Sequence, residues 1–488
     1  NISIKNIEAG VTVYAYRLTT VNWNTSINQP LDPPYTWVDE VQSWIDTNFP
    51  NYSDPEDFYE DFYNEDTQTT SEATEFYSKL ISRVKGGSID LDASYTKTLT
   101  GNNYYPVEDS SLTGSVTFEN CNMGTYLILI ENGYMVYSPS VVNLTPKYIE
   151  GDGWVLSDGS VQVKSTRPQI SKTLNGIKED NFSTIDTLSF EILADIPKYI
   201  DSALSKTYKV TDVLSDGLSL DNSSIEVYGI NENSETKLTL DNEYKIEKSS
   251  NNDFTISFIY ENIYQYDSVK ITYTSKLLQS SSLILGDGNK NTASLIYSNN
   301  PYDEDSTQVQ EDTVTVYTYG LNITKVDKTD NSKVLAGAQF NLSDDNNHLY
   351  FVGNNGVYYL SDHASAGATD VLEVNSNGLL CLYGLDEGTY YLNEFKAPDG
   401  YNASQNVYSL VIKDENLDGK IDDDSEGYIK NDTNGIIEIT FPNGKGFQLP
   451  ITGGMGTLVF IIGGIIFICA GIIILILIKR KNSKNSDI

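Results

Sequence analysis

Cysteine, histidine and positive charge are all scarce in this chain, and each shortage narrows what it does. Three cysteines, Cys121, Cys381 and Cys469, cannot build a disulfide framework. With only two histidines, His348 and His363, there are too few soft ligands for a zinc or catalytic metal cluster. Cys121 and Cys381 read as small hydrophobes, and Cys469 falls inside a long apolar run. Lys and Arg number 32 against 68 Asp and Glu, a formal net charge of −36 at pH 7. A surface this acidic repels phosphate backbones, which excludes nucleic acid as a partner. What the chain does have is 488 residues, 39% of them hydrophobic, and 35 tyrosines. That is enough apolar material for real cores, which argues against global disorder, and the length suggests about three domains at about 150 residues each.

The largest shift in composition lies at the C-terminus. Residues 457–478 form 22 positions without a charge. As a helix they would reach about 33 Å, enough to cross a bilayer core. Lys479, Arg480, Lys481 and Lys484 follow, a basic flank that stays on the cytoplasmic side and places the N-terminal bulk outside. Just before the run stands Leu449-Pro450-Ile451-Thr452-Gly453. Motif, apolar span and basic tail in this order resemble the cell-wall sorting signal of Gram-positive bacteria. The resemblance implies that a sortase cysteine attacks the Thr452 carbonyl and releases Gly453 and all that follows, so the membrane span is transient. The opening NISIKNIEAG reads as strand and turn, and an export signal is expected to have been removed.

Between these ends, period-two alternation dominates, as in FTISFIY at 254–260, SVKITYT at 268–274 and IIEITF at 436–441. Such runs, bounded by Asn, Asp and Gly turns, predict antiparallel sheets with one buried face. The fold class is therefore mainly β, with tandem immunoglobulin-like β-sandwich domains and a C-terminal transmembrane helix. The N-terminal part differs. Ala73, Phe76, Tyr77, Leu80, Ile81 and Val84 have helical spacing, so 71–84 reads as an amphipathic helix ended by Gly86-Gly87. A second short helix is expected around Trp37, Val41 and Trp44. We divide the chain into an N-terminal β domain with helical insertions (1–165), a middle sandwich (166–316), a third sandwich (317–448) and the sorting signal (449–488).

On these features the whole chain resembles a sortase-assembled backbone (major) pilin, most clearly in the sorting signal and the last two domains. Collagen-adhesin B-type domains of that family carry an internal amide bond between a Lys on the first strand and an Asn near the end, promoted by a buried acid. The resemblance implies such a set in the third domain, with Lys325 in LNITKVDK, Glu394 in YYLNEFKAPDGY and Asn443 in ITFPNG. In the second domain it implies Lys172 in PQISKTL, Asp212 in YKVTDVLSDGL and Asn291 in NTASLIYSNNP, with Asn289 a rival acceptor. The Lys–Asn separations, 118 and 119 positions, suggest one plan used twice. Burial would lower the Lys pKa and raise that of the acid, yielding a nucleophilic amine and a proton shuttle. The alternative is ordinary strand lysines with their heads in water and asparagines that form turns. The first domain shows no convincing set; Lys5 is its only candidate.

Polymerisation needs an exposed Lys to accept the Thr452 acyl group. Family members often carry it in a Val-x-Val-Tyr-Pro-Lys string; here Val161-Gln162-Val163-Lys164 lacks the Tyr-Pro. Lys164 is the expected donor, with Lys147 and Lys172 as competitors. Residues 414–422 follow the spacing of a calcium loop through Asp414, Asn416, Asp418, Gly419 and Asp422, but Ser425 replaces the usual Glu at the twelfth position. Calcium and a solvated acidic hairpin both stay open, and no cofactor is required. The expected function is a structural shaft subunit, not an enzyme, joined head to tail by sortase and finally anchored to peptidoglycan, on the outside of the cell. Its partners would be sortase, other copies of itself, peptidoglycan, ancillary pilins and host surface ligands. The alternative is a singly displayed adhesin or ancillary pilin.

Overall fold

The computed structural model describes residues 1–62, 71–100, 114–232, 234–248, 252–345, 347–422, 429–431 and 434–445, with positions 468, 471–474 and 476. Three β-sandwiches follow one another along the chain. In the first, a three-stranded sheet (Gly159–Gln162, Ile2–Ile7, Gly114–Phe118) faces a four-stranded one (Tyr95–Thr98, Thr12–Arg17, Gly124–Glu131, Ser140–Leu144). Ile2, Ile4, Val13, Ala15, Val116, Ile128 and Val161 fill the space between them.

The strand Gly124–Glu131 is buried on both faces except at its last residue, which explains its unbroken apolar sequence TYLILI. Tyr126, Ile128 and Ile130 point into the sandwich. Leu127 and Leu129 point the other way and are covered by helices. The helix Ser71–Lys85 matches the expected one within a residue; of the second, Val41 and Trp44 lie in the helix Asp39–Asn48, while Trp37 ends the strand Gln29–Trp37. A further helix, Pro55–Phe62, has no counterpart in the sequence reading. Val41, Ile45, Phe58, Phe76, Leu80 and Ile81 form the apolar layer under these helices. Gly87 takes φ +71° beyond the last turn of Ser71–Lys85, a left-handed conformation that favours glycine.

The second sandwich packs one sheet built on Ile170–Leu174, Leu188–Asp195, Ser268–Leu277 and Glu226–Asn231 against another built on Gln308–Tyr317, Asn289–Tyr297, Tyr208–Leu214 and Asp253–Phe258. Strict alternation is visible in Leu188–Asp195, where every second residue is buried. The third sandwich begins at the strand Tyr319–Asp327. Its first and last strands lie side by side and parallel, with Lys325 opposite Phe441 and Asp327 opposite Asn443. The facing sheet contains Gln339–Ser343, Gly388–Lys396 and Tyr408–Ile412.

Neighbouring domains are joined by specific contacts. Tyr297 donates to the Tyr134 carbonyl at 2.5 Å, and the Asn299 amide donates to the Gly133 carbonyl at 2.6 Å. Between the second and third domains, the Thr184 hydroxyl donates to the Leu360 carbonyl at 2.6 Å. Gly419 is pressed against the loop at Gly286, where a Cβ would stand 1.6 Å from the Gly286 carbonyl oxygen. The sorting motif Leu449, Pro450, Ile451, Thr452 and Gly453 and almost all of the expected span lie outside the described residues. Among the described residues no helix is long and apolar enough to cross a membrane.

Candidate functional site

The third sandwich buries three polar side chains that alternation alone would not place together. Lys325 points inward from Tyr319–Asp327, Asn443 from the adjacent Ile436–Asn443, and Glu394 from Gly388–Lys396 on the facing sheet. Lys325 has no solvent exposure, and the other two are nearly as buried. The Lys325 ammonium contacts Asn443 Oδ1 and donates to the Phe441 carbonyl at 2.9 Å. Glu394 touches both partners: Oε1 lies 3.6 Å from Lys325 Nζ, and Oε2 accepts from Asn443 Nδ2 at 2.9 Å. The Ser404 N–H also donates to Oε2, while Oε1 has no hydrogen-bond partner.

Burial is the largest influence on Lys325 and outweighs the attraction of Glu394, bringing the ammonium down to about 8. Phe441 presents its ring face 4.9 Å from the nitrogen. A buried ion pair of this kind is costly to maintain. An amide bond from Nζ to the Asn443 Cγ would remove both charges, with ammonia leaving and Glu394 moving the proton between the two nitrogens. Below pH 8 the neutral, nucleophilic fraction of Lys325 rises about tenfold per pH unit and then levels. Bond formation in newly synthesised protein should follow that curve, as read by mass spectrometry of acid-quenched samples.

The second sandwich repeats the set with a different wiring. Lys172, Asp212 and Asn291 have no solvent exposure. Lys172 and Asn291 sit on opposite sheets, and Asp212 sits beside Asn291's strand, with Leu214 paired to Asn291. The Lys172 ammonium donates to Asp212 Oδ1 at 2.5 Å. Burial lowers the pKa of Lys172 and raises that of Asp212, driving the pair toward neutrality. Tyr273, which the sequence reading missed, stands at the centre. Its hydroxyl receives hydrogen bonds from Lys172 Nζ and Asn291 Nδ2, both at 2.6 Å, and donates to Asp212 Oδ2. The available signal was its inward position in SVKITYT, where a buried tyrosine needs a partner for its hydroxyl. The rival Asn289 is a structural residue. Its amide is spent on the Ile284 and Val316 carbonyls, and its oxygen accepts from the Ile284 N–H.

Other candidates separate clearly. Lys5 is exposed on its strand, so it does not serve as a buried nucleophile in the first domain. Lys172 is buried and is removed as a competitor for linking subunits, whereas Lys164 and Lys147 are exposed. The Lys164 backbone is fixed by the Ser138 N–H at 2.9 Å, and its ammonium makes no ion pair among the described residues.

The residues expected to form a calcium loop are held by protein donors. Asp414 is buried and accepts from the Tyr319 hydroxyl at 2.8 Å, the Gly419 N–H at 2.8 Å and the Asp418 N–H at 3.1 Å. Asp418 pairs with Lys420, Asp422 accepts from the Glu415 N–H, and Asn416 is exposed. Among the described residues no three His, Cys, Asp or Glu side chains converge as a metal site.

The second and third of the tandem sandwiches each bury a Lys–acid–Asn set, and it is with this architecture that the chain compares with known proteins. Residues 320–427 match the SpaA prealbumin-like fold domain family. The chain is 26% identical over 333 residues to the trypsin-resistant surface T6 protein of Streptococcus pyogenes serotype M6, a match covering 61% of this chain and 57% of that relative. The three-domain T6 backbone pilin of the same organism superposes with a TM-score of 0.62 at 21% identity, over 91% of this chain and 98% of the other. The major pilin SpaD of Corynebacterium diphtheriae gives 0.51 at 18% identity, over 91% and 97%. At these identities the two structures speak for the fold. The chain is thus similar in sequence to a streptococcal surface protein, spanning a little over half of its length, and similar in fold to Gram-positive backbone pilins.

Proposed function

We propose that this protein is the shaft subunit of a covalent pilus, carrying two self-formed amide bonds, Lys325–Asn443 and Lys172–Asn291. The observation that carries this reading is Glu394, with one carboxylate oxygen toward the amine and the other on the amide nitrogen that must leave. Sortase would join Thr452 of one subunit to Lys164 of the next and finally attach the polymer to peptidoglycan, displaying it outside the cell. The relative's description as a surface protein supports that location. Ancillary pilins and host surface ligands would be its further partners.

The test is the intact mass of the soluble ectodomain. It should fall short of the sequence mass by two ammonia molecules, with cross-linked peptides containing 325–443 and 172–291. Folded protein at the full sequence mass would overturn both bonds. The residues 414–422 serve, on this reading, as an acidic hairpin that seats the third domain against Gly286. Asp414 is already satisfied by Tyr319 and two backbone N–H groups, so calcium has no vacancy to fill there. The melting temperature should be the same in excess calcium and in chelator; a rise with calcium concentration would restore the cation reading.

A further inference from the structure

The two buried sets differ in how the acid reaches the leaving nitrogen. In the third domain Glu394 Oε2 touches Asn443 Nδ2 directly. In the second domain the acid is an aspartate, one methylene shorter, and the group in contact with Asn291 Nδ2 is the Tyr273 hydroxyl. That hydroxyl also touches the other two members of the set. We propose that Tyr273 is a catalytic residue of the Lys172–Asn291 reaction, relaying a proton between Asp212 and the departing amide nitrogen. The inference rests on the amide-bond reading above.

The step balances as follows. With Asp212 as the neutral acid, its proton on Oδ2 toward Tyr273, neutral Lys172 Nζ forms a bond to Asn291 Cγ and gives one proton to Oδ1. Once Cγ is tetrahedral, Nδ2 carries a lone pair and changes from donor to acceptor toward Tyr273. The phenol gives its proton to Nδ2 and takes one from Asp212 Oδ2. The Cγ–Nδ2 bond breaks, ammonia leaves, and both Asp212 and Tyr273 return to their starting protonation. No outside reactant is needed. Burial, reinforced by the neighbouring Asp212, holds the Tyr273 pKa well above its ordinary value. It therefore stays protonated and acts as a relay, not as a base. Its ring is held for this by stacking on Phe190 at 5.2 Å and by the edge contact with Phe254 at 5.3 Å. The Asn291 oxygen has no hydrogen-bond partner, so the amide is held only through the nitrogen that departs.

Tyr273→Phe keeps both ring contacts and removes only the hydroxyl. In this variant the 172–291 bond should form on the order of 10²-fold more slowly or not at all, while the 325–443 bond forms normally. The mass would then show one ammonia lost instead of two. Adding Asp212→Glu supplies the missing methylene, lets the acid reach Nδ2 directly and should recover the second loss. A mere packing defect would not be rescued in this way. If the phenylalanine variant does not fold, 3-fluorotyrosine at position 273 keeps the shape and acidifies the phenol. The 172–291 rate should then change while the 325–443 rate does not. Loss of both ammonia molecules at the wild-type rate in Tyr273→Phe, or an unaltered rate with fluorotyrosine, overturns the relay. Wild-type protein lacking the 172–291 peptide overturns the underlying reaction and the relay with it.

Discussion

Glu394→Ala should yield a folded ectodomain that loses one ammonia instead of two, with Lys325 and Asn443 recovered in separate peptides. Glu394 is the acid within reach of both nitrogens, so its removal leaves the amine and the amide in place without a proton carrier. The stability loss should be large. The bond closes a loop of 118 residues. In the chain-entropy treatment of a cross-link, such a loop contributes about 4–5 kcal/mol. For a domain of this size that corresponds to roughly 10–15 °C in melting temperature. Glu394→Ala also strands an unpaired buried Lys325, so its loss will exceed that of the bond alone. Lys325→Met separates the two effects, because it fills the same volume without a charge. Both variants should melt lower than the wild type, Glu394→Ala the lower of the two. The gap should persist in reducing agent, since no disulfide is involved. Equal melting temperatures for wild type and Lys325→Met would show that the third domain carries no cross-link.

Lys164→Arg should abolish the polymer. The substitution keeps the positive charge but replaces a primary amine by a guanidinium that stays protonated and is a poor nucleophile. Lys164 is exposed at the end of the first domain, immediately before the strand Ser165–Thr166 that pairs with Val136–Tyr137. Residues 133 and 134 in that region already contact the second domain. A donor there would be far along the chain from Thr452, as a head-to-tail polymer requires. Wall extracts of cells carrying the variant, boiled in detergent, should show monomer where the wild type shows a high-mass ladder. A persistent ladder would transfer the role to another lysine, with the exposed Lys147 first. If the unaltered protein gives no ladder with its own sortase, the chain is a singly displayed adhesin instead.

A path for tension is expected in the third domain. Its first and last strands are parallel neighbours, and the proposed bond joins them at Lys325 and Asn443. Tension entering at one end of the domain and leaving at the other would pass through that bond, leaving the sheets between unstretched.

The sequence by itself determined the local periodicities and, through them, the architecture. Alternation in Leu188–Asp195 and in Ile436–Asn443 specifies strands with one buried face, because successive side chains on an extended chain point to opposite sides. The 3.6-residue spacing from Ala73 to Val84 specifies the helix Ser71–Lys85 for the corresponding reason. Lys325, Glu394 and Asn443 were legible because they sit in strings with a recognisable family pattern. Only the tertiary structure decided what lies across the sandwich from each inward residue. Periodicity says that Tyr273 and Lys172 point inward, but it does not say that their strands bring them within 2.6 Å of each other. The same limit left Asn289 as a rival to Asn291 in sequence, although one binds backbone and the other meets the reactive set. Asp414 shows the reverse case. Its spacing to Asn416 and Asp418 imitates a cation loop, yet the fold supplies Tyr319 from a strand 95 positions away to satisfy it. Contacts at that separation depend on how whole sheets pack, and no local pattern encodes the partner.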